Sequence, residues 1–320
     1  MTKIIGTGSA LPETVVTNSD LSKIMDASDE WISSRTGIKE RRLAKEETTA
    51  SLSIEAAKRA MENAGIEAGE LDLILAGTIT GDYVTPSTAC QVQAALGAER
   101  AAAFDVNGAS SGFMFALHTA QAYIQSGIYK TALVIGAETL SKIMDWNDRS
   151  TCVLFGDGAG AAIVRNSEEG GLFFFDQGSD GGRGMALSCK NRLNNNPLVS
   201  NPSDYDYVHM DGQEVYKFAV TTVPESIQKA VSQAGLKTEE IDLFLLHQAN
   251  LRIIQSVAKR LKAPMEKFPT SLEHCGNISA ASVPILLDEA NRKGMLKKGD
   301  KLVLSGFGAG LTWGSAVMEW

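Results

Sequence analysis

No stretch of this 320-residue chain is long and apolar enough to cross a bilayer, and its first residues, MTKIIGTGSALP, lack the apolar core of a signal peptide. The expected location is therefore the cytoplasm, without a membrane partner. Cysteine is scarce. Cys90, Cys152, Cys189 and Cys275 lie far apart with no Cys-x-x-Cys spacing, so neither a disulfide framework nor a zinc cluster is indicated, and buried free thiols are expected. The four histidines form no metal-ligand pair, and no metal is expected. A basic excess is also missing. The formal charge of -8 disfavours general binding of nucleic acid, and any acidic partner needs a local basic patch. What remains is an ordinary globular composition, 44% hydrophobic and 21% charged, with enough apolar residues for one or two large cores.

The chain repeats itself. AGIEAGELDLIL from Ala64 lines up with AGLKTEEIDLFL from Ala234, 170 positions later. The same offset carries Asn107 onto Asn277 and ALVIGAE from Ala132 onto LVLSGFG from Leu302. One spacing that covers a helix end, two strands and a strand-to-helix turn indicates a duplicated α/β unit. In each half an amphipathic helix (about 49–64, and 220–234) precedes a short apolar strand, followed by a small-residue helix (about 111–126, and 280–293) and a second apolar strand. Continuous apolar strands flanked by helices predict sheets covered on both faces. The break NSEEGG, 166–171, separates an N-terminal half, 1–168, from a C-terminal half, 169–320.

The segment FDVNGASSGF, Phe104 to Phe113, resembles the active-site segment of the β-ketoacyl-[acyl carrier protein] synthase III family of condensing enzymes, in which cysteine stands where this chain has Ser110. Five further segments resemble that family in the same order: DEWISSRTGI from Asp29, Arg149 with LFGDGAG from Leu154, LHQANLR from Leu246, GNISAASVP from Gly276 and GFGAGLTWGS from Gly306. The resemblance implies the thiolase fold, five α-β-α-β-α layers built from two halves about a pseudo-twofold axis. It implies a catalytic set of Ser110, His247 and Asn277. The activity it implies joins an acyl-CoA primer to malonyl-[acyl carrier protein], giving 3-oxoacyl-[acyl carrier protein], CoA and CO2. Coenzyme A enters as a substrate thioester, and no cofactor is expected.

These residue types suit that chemistry. A nucleophile at a helix N-terminus gains from the backbone dipole, and Ser110 is expected to begin such a helix. His247 follows the apolar strand IDLFLL, at the carboxyl end where α/β sheets present ligand sites. His247 and Asn277 would hold the charge that collects on the thioester oxygen as malonyl loses CO2, while the N–H groups of Ser110 and Ala309 would hold the oxyanion of the acyl carbonyl. Serine impairs the first step most. An alcohol is far less acidic than a thiol, and a helix dipole worth about 0.3–2 kcal/mol cannot close that gap, so Ser110 needs a dedicated base. The sequence reads identically whether the serine is natural or introduced to trap a complex.

Two alternatives stand beside this reading. GASSG, Gly108 to Gly112, satisfies the G-x-S-x-G elbow of α/β-hydrolases with His247 downstream, which would make Ser110 a true serine nucleophile of an acyltransferase or hydrolase. A non-catalytic acyl-CoA-binding scaffold is the other. GDGAG, 156–160, reads as a tight turn with close packing rather than a nucleotide loop.

The resemblance also assigns binding positions. Trp31, Arg35, Thr36 and Arg149 would grip coenzyme A, its adenine between indole and guanidinium, with Gly212, Asn250 and Phe307 along the pantetheine tunnel. A homodimer is implied, Thr85 of one chain reaching the acyl pocket of the other. Arg252, Lys259 and Arg260 recur at seven and eight positions, one helical face, and with Lys217 form the expected dock for acyl carrier protein.

Overall fold

The computed structural model describes residues 1–194, 196–199 and 206–320. The first part of the chain runs β1 (Thr2–Ala10), β2 (Val15–Thr17), α1 (Asn18–Leu21), α2 (Asp29–Thr36), β3 (Glu40–Arg42), α3 (Thr49–Ala64), β4 (Leu73–Gly77), α4 (Thr88–Leu96), β5 (Ala102–Val106), α5 (Gly112–Gln125), β6 (Thr131–Thr139) and β7 (Asp157–Asn166). The second part runs β8 (Gly171–Ser179), β9 (Leu187–Ser188), β10 (His209–Met210), α6 (Gly212–Gln233), β11 (Leu243–Leu246), α7 (Leu251–Leu261), α8 (Leu272–Cys275), α9 (Ser282–Arg292), β12 (Lys301–Gly308) and β13 (Thr312–Glu319).

Nine strands form one ladder in the order β11-β12-β13-β8-β1-β7-β6-β4-β5. Its middle step, β8 to β1, is the single pair Thr2↔Leu172, two residues 170 apart, so each half contributes its own sheet and the sheets join at equivalent strands. The duplication extends to small details. Asp72 N–H donates to Thr131 O while its carboxylate caps the N–H of Thr131; Asp242, 170 positions on, does the same with Lys301.

Helices fill three layers around the two sheets. α3 starts at the Thr48 cap, which forms a capping box with Ser51, and ends at Gly65 in the left-handed region. Its buried face, Leu52, Ala56, Ala57, Ala60 and Met61, covers one side of the first sheet together with α4. α6 and α7 cover the outer side of the second sheet through Phe218, Val223, Ile227, Ile254 and Val257. Between the sheets lie α5 and α9, whose Phe113, Leu117, Leu286 and Leu287 share a core with Leu75 and Val134 of the first sheet and Leu245 and Leu304 of the second. Truncating a fully buried Phe113 to alanine would cost about 3–5 kcal/mol. This is the thiolase fold, α-β-α-β-α.

Three local expectations change. α6 begins at Gly212 rather than near residue 220, because Asp211 caps the N–H groups of Gln213 and Glu214 and the helix continues through Pro224. GDGAG is the last linker residue and the first four residues of β7, not a turn: a side chain at Gly160 would strike the backbone of Pro284 and Ile285 on α9. The cysteines are all free, but only Cys152 and Cys275 are buried; Cys90 and Cys189 are exposed.

Candidate active site

Two sequence-equivalent turns meet where the halves pack. After β5 the chain enters a 3₁₀ turn, Ala109–Ser111, with Ala109 at φ 45°, and α5 starts at Gly112. Ser110 thus sits just before the helix rather than as its first residue. The Ser110 side chain is nearly buried and its Oγ donates to Ser279 Oγ at 3.1 Å. Gly308, at the end of β12, forms the wall beside it. A Cβ there would stand 2.7 Å from Ser110 Cβ and 3.0 Å from both its N and its Oγ.

The second turn follows α8. Asn277 is fixed by backbone bonds to the segment before β7, its N–H to Leu154 O at 2.9 Å and its carbonyl from Gly156 N–H at 3.0 Å. Its Oδ1 accepts from Ser279 N–H at 2.9 Å, which leaves the Nδ2 donor end for a ligand. Behind the second turn Arg41 is fully buried. Its guanidinium donates to Val153 O at 2.7 Å, Asn18 Oδ1 at 2.8 Å and Val16 O at 3.2 Å, and its Cβ lies 3.3 Å from the position a Gly276 Cβ would take.

His247 comes off β11 as expected, its N–H bound to Ser305 O at 2.7 Å and its ring edge-on to Phe307 with centroids 5.0 Å apart. It is 2% exposed, and its Nδ1 has no hydrogen-bond partner among the described residues. Burial alone pushes its pKa down to about 3, so the imidazole is neutral near pH 7 and suited to donating a hydrogen bond. A serine-hydrolase triad needs Ser110 bonded to His247 and His247 oriented by a carboxylate. Among the described residues neither contact exists: Ser110 is bonded to Ser279.

Ser110, His247 and Asn277 all line one cavity of about 250 Å³ that runs outward past Phe307, Asn250, Gly212 and Thr36 to Trp31 and Arg35. Trp31 is contacted by two guanidiniums, Arg35 Cζ at 4.8 Å and Arg149 Cζ at 5.1 Å from the ring centroid. Arg149 is also paired with Asp26 at 2.9 Å. Asn250 caps α7 through Arg252 N–H and ties it to α2 by donating to Arg35 O at 3.0 Å. Sequence reasoning missed the apolar lining from the second half, Leu187, Met210, Val215 and Ile253, together with Tyr216. Leu187 and Met210 belong to a two-residue ribbon, too short for any period to show. None of the four cysteines lines the cavity, so no displaced thiol stands in for the serine.

Other expected residues lie elsewhere. Ala309 follows Gly308 outside the lining, half-buried, its carbonyl accepting from Thr312 Oγ1 at 2.9 Å. Thr85 is exposed on the loop before α4. Lys217, Arg252, Lys259 and Arg260 are all exposed, but Arg252 is not simply a surface charge: its Nη2 donates to Ser34 O at 2.9 Å, one residue from Arg35. His274, Cys275 and Glu289 bring ligand-type atoms within 4.8 Å of one another, a grouping that spacing did not show. Glu289 is already paired with Lys293 at 2.9 Å, and burial pushes the Cys275 thiol up to about 12, so this trio is an ion-pair cluster about a neutral thiol.

Comparison with known proteins agrees with this geometry. The model for 3-oxoacyl-[acyl carrier protein] synthase III matches residues 104–181, and the model for the C-terminal part of that family matches residues 231–320. The chain belongs to the 3-oxoacyl-[acyl carrier protein] synthase III family. It is 51% identical over 319 residues to β-ketoacyl-[acyl carrier protein] synthase III of Clostridium acetobutylicum, covering 99% of this chain and 98% of that one. Among solved structures of synthase III, that from Aquifex aeolicus VF5 superposes with a TM-score of 0.94 at 46% identity over 100% of both chains. The Thermus thermophilus synthase III does so with 0.93 at 41% over 99% of both. As a synthase III the chain is an acyltransferase of fatty acid synthesis.

Proposed function

We propose that this synthase III joins an acyl-CoA primer to malonyl-[acyl carrier protein], with acyl transfer to Ser110 as its slow step. The observation that carries the reading is the convergence of the Ser110 turn, neutral His247 and the Nδ2 end of Asn277 on one cavity that reaches the Trp31, Arg35 and Arg149 cluster. In the proposed sequence the primer enters as its coenzyme A thioester with adenine against Trp31, which requires the Arg149 guanidinium to swing off the indole. The acyl group passes to Ser110 and CoA leaves. Malonyl thioester then enters, loses CO2 while His247 and Asn277 donate to its carbonyl oxygen, and the carbanion attacks the acyl carbonyl, whose oxyanion the N–H groups of Ser110 and Ala309 hold. No helix among the described residues is long and apolar enough to cross a membrane, in keeping with proposed work on carrier-bound substrates in the cytoplasm.

The proposed homodimer would form along edge strand β5, which leaves Phe104 37% exposed beside the loop where Tyr83 and Val84 are 63% and 93% exposed. Acyl carrier protein would dock on Lys217, Lys259 and Arg260, with Arg252 bridging to the coenzyme A end. The two halves, 1–168 and 169–320, are proposed as structural units rather than separate functions.

The experiment is intact-protein mass after mixing with acyl-CoA, for the chain and its Ser110→Cys variant, together with CO2 release from malonyl-[acyl carrier protein]. The expected result is a thioester adduct and condensation in the cysteine variant at a rate about two orders of magnitude or more above the serine form. Failure of the cysteine variant to acylate would overturn the assignment of residue 110 as nucleophile.

A further inference from the structure

The turns that carry Ser110 and Asn277 are equivalent, but the chain enters them differently. In the first half the approach is β5, which pairs with β4 from Leu73↔Ala102 to Gly77↔Val106, and Thr78 N–H extends the ladder by donating to Val106 O at 3.3 Å. Backbone bonds alone tie the strand before Ser110 to its neighbour. In the second half the residues 170 positions on, 272–276, form helix α8 and its C-cap instead of a strand. Among the described residues β11 pairs only with β12, so no ladder joins the strand that delivers His247 to the segment that delivers Asn277.

Gln248 closes that gap. It stands where the first half has Thr78, and it is fully buried. Its Oε1 accepts from the N–H groups of Ser271 at 3.1 Å and Leu272 at 3.2 Å, while its Nε2 donates to Leu246 O at 2.8 Å. These partners allow the amide one orientation, since two N–H donors meet its oxygen and a carbonyl meets its nitrogen. Ser271, at the N-cap of α8, makes no cap with its own side chain, and the Gln248 oxygen takes that place. From there the path to the site is short. Leu272 O accepts from Gly276 N–H at 3.0 Å, and Asn277 is the next residue. At the other end Leu246 and Gln248 flank His247, so one buried amide spans the segments that carry both donors.

Resting on the condensing-enzyme reading, in which His247 and Asn277 both donate to the malonyl thioester oxygen, we infer that Gln248 is a positioning residue that sets the separation of these two donors. Two donors must converge on one oxygen within hydrogen-bond reach, and misplacing one of them by about 1 Å costs on the order of a hundredfold. His247 N–H is held by Ser305 O, and Asn277 by Leu154 O and Gly156 N–H. Those bonds fix each donor to its own surroundings; Gln248 fixes one to the other. None of its hydrogen bonds reaches the Ser110 turn, so acyl transfer to residue 110 does not depend on it.

The test is made in the Ser110→Cys chain, with the rate of thioester adduct formation from acetyl-CoA, read by intact mass, set beside CO2 release from malonyl-[acyl carrier protein]. Gln248→Met keeps the side-chain length and removes all three hydrogen bonds; Gln248→Asn keeps the amide but is too short to reach both sides. The kcat for CO2 release should fall by about a hundredfold with methionine and about tenfold with asparagine, while the adduct rate stays within about threefold of the parent. Adding Gln248→Met to Asn277→Ala should cost less than about threefold beyond Asn277→Ala alone, because the separation ceases to matter once one donor is gone. Unchanged CO2 release, a parallel loss of adduct in both variants as expected of a residue that serves only the fold, or full additivity with Asn277→Ala would each overturn the inference. Asn277→Ala alone reads the underlying assignment. If it spares CO2 release, the two-donor reading falls and Gln248 with it, whereas its loss of CO2 release beside an unaffected Gln248→Met removes only the positioning role.

Discussion

The turn at Ala109–Ser110 and the turn at Ser279–Ala280 occupy equivalent places in the two halves and have the same backbone, with φ 45° at both Ala109 and Ser279. A non-glycine residue in that region costs about 1–3 kcal/mol, and the molecule bears it twice. Their surroundings differ at one equivalent pair. Gly308 stands beside Ser110, where a Cβ would lie 3.0 Å from its Oγ; the residue 170 positions earlier is Glu138, fully buried near the end of β6, whose Oε2 accepts from Thr78 Oγ1 and Ile79 N–H. Duplication preserved the frame while the equivalent strand position changed from a glycine beside the Ser110 turn to a buried carboxyl in the other half.

The largest test removes the open wall. Gly308→Ala puts a methyl carbon 2.7–3.0 Å from Ser110 Cβ, N and Oγ, so residue 110 must shift, and adduct formation in the Ser110→Cys background should fall by about a hundredfold. An unchanged rate would show that Gly308 does not define the reacting position.

Replacing the carboxyl sharpens the other side of the comparison through stability. Glu138 has a folded pKa of about 7 against an ordinary value of 4.5, so its favourable contribution is complete below pH 4.5 and is lost as pH rises through 7. By pH 8 the chain with Glu138 should have lost about 3 kcal/mol that Glu138→Gln retains, measured by urea unfolding at pH 5 and pH 8. His247 acts with the opposite sign. Its depressed pKa makes stability fall as pH drops below 6.5, so comparisons belong within one variant pair at each pH.

Smaller effects probe what lies beyond the two turns. Thr85→Phe in the cysteine variant should shift primer use toward acetyl-CoA by about tenfold over a four-carbon primer, read from kcat/KM for each; an unchanged profile would remove Thr85 from the acyl pocket. Lys259→Glu should raise KM for malonyl-[acyl carrier protein] a few-fold and leave that for acyl-CoA alone. It is a cleaner change than Arg252→Glu, because Arg252 also holds the Ser34 carbonyl beside Arg35. Equal changes in both KM values would argue against a carrier-specific dock.

The repeat at 170 residues was enough to read α3, the central helices and the alternation of layers, because helix caps and apolar runs are local signals. The convergence of Ser110, His247 and Asn277 on one cavity was legible for a related reason: each follows a strand or lies in a turn within a recognisable segment. Glu138 and Ser279 were not. A glutamate near a strand end and a serine in a small-residue loop look ordinary until folding brings the loop of one half against the strand of the other. Arg41 was hidden similarly, since a charged residue in a basic doublet gives no sign that its acceptors are backbone carbonyls at residues 16 and 153. The start of α6 was misread because a glycine at the first helical position and an internal proline both weaken helical patterning.

The central layer has a consequence for how the chain acquires its shape. α5 and α9 are covered on opposite sides by different sheets, so a half made alone would leave the apolar face of its own middle helix in water. The contacts that close this layer join residues far apart in sequence, which places their entropic cost early and their reward late and favours slow folding of the whole chain as a unit. Cutting the chain between β7 and β8 should therefore yield two aggregation-prone fragments rather than two small domains. The cavity draws its walls from both parts, and so the capacity to bind acyl-CoA would report the arrival of the last of them.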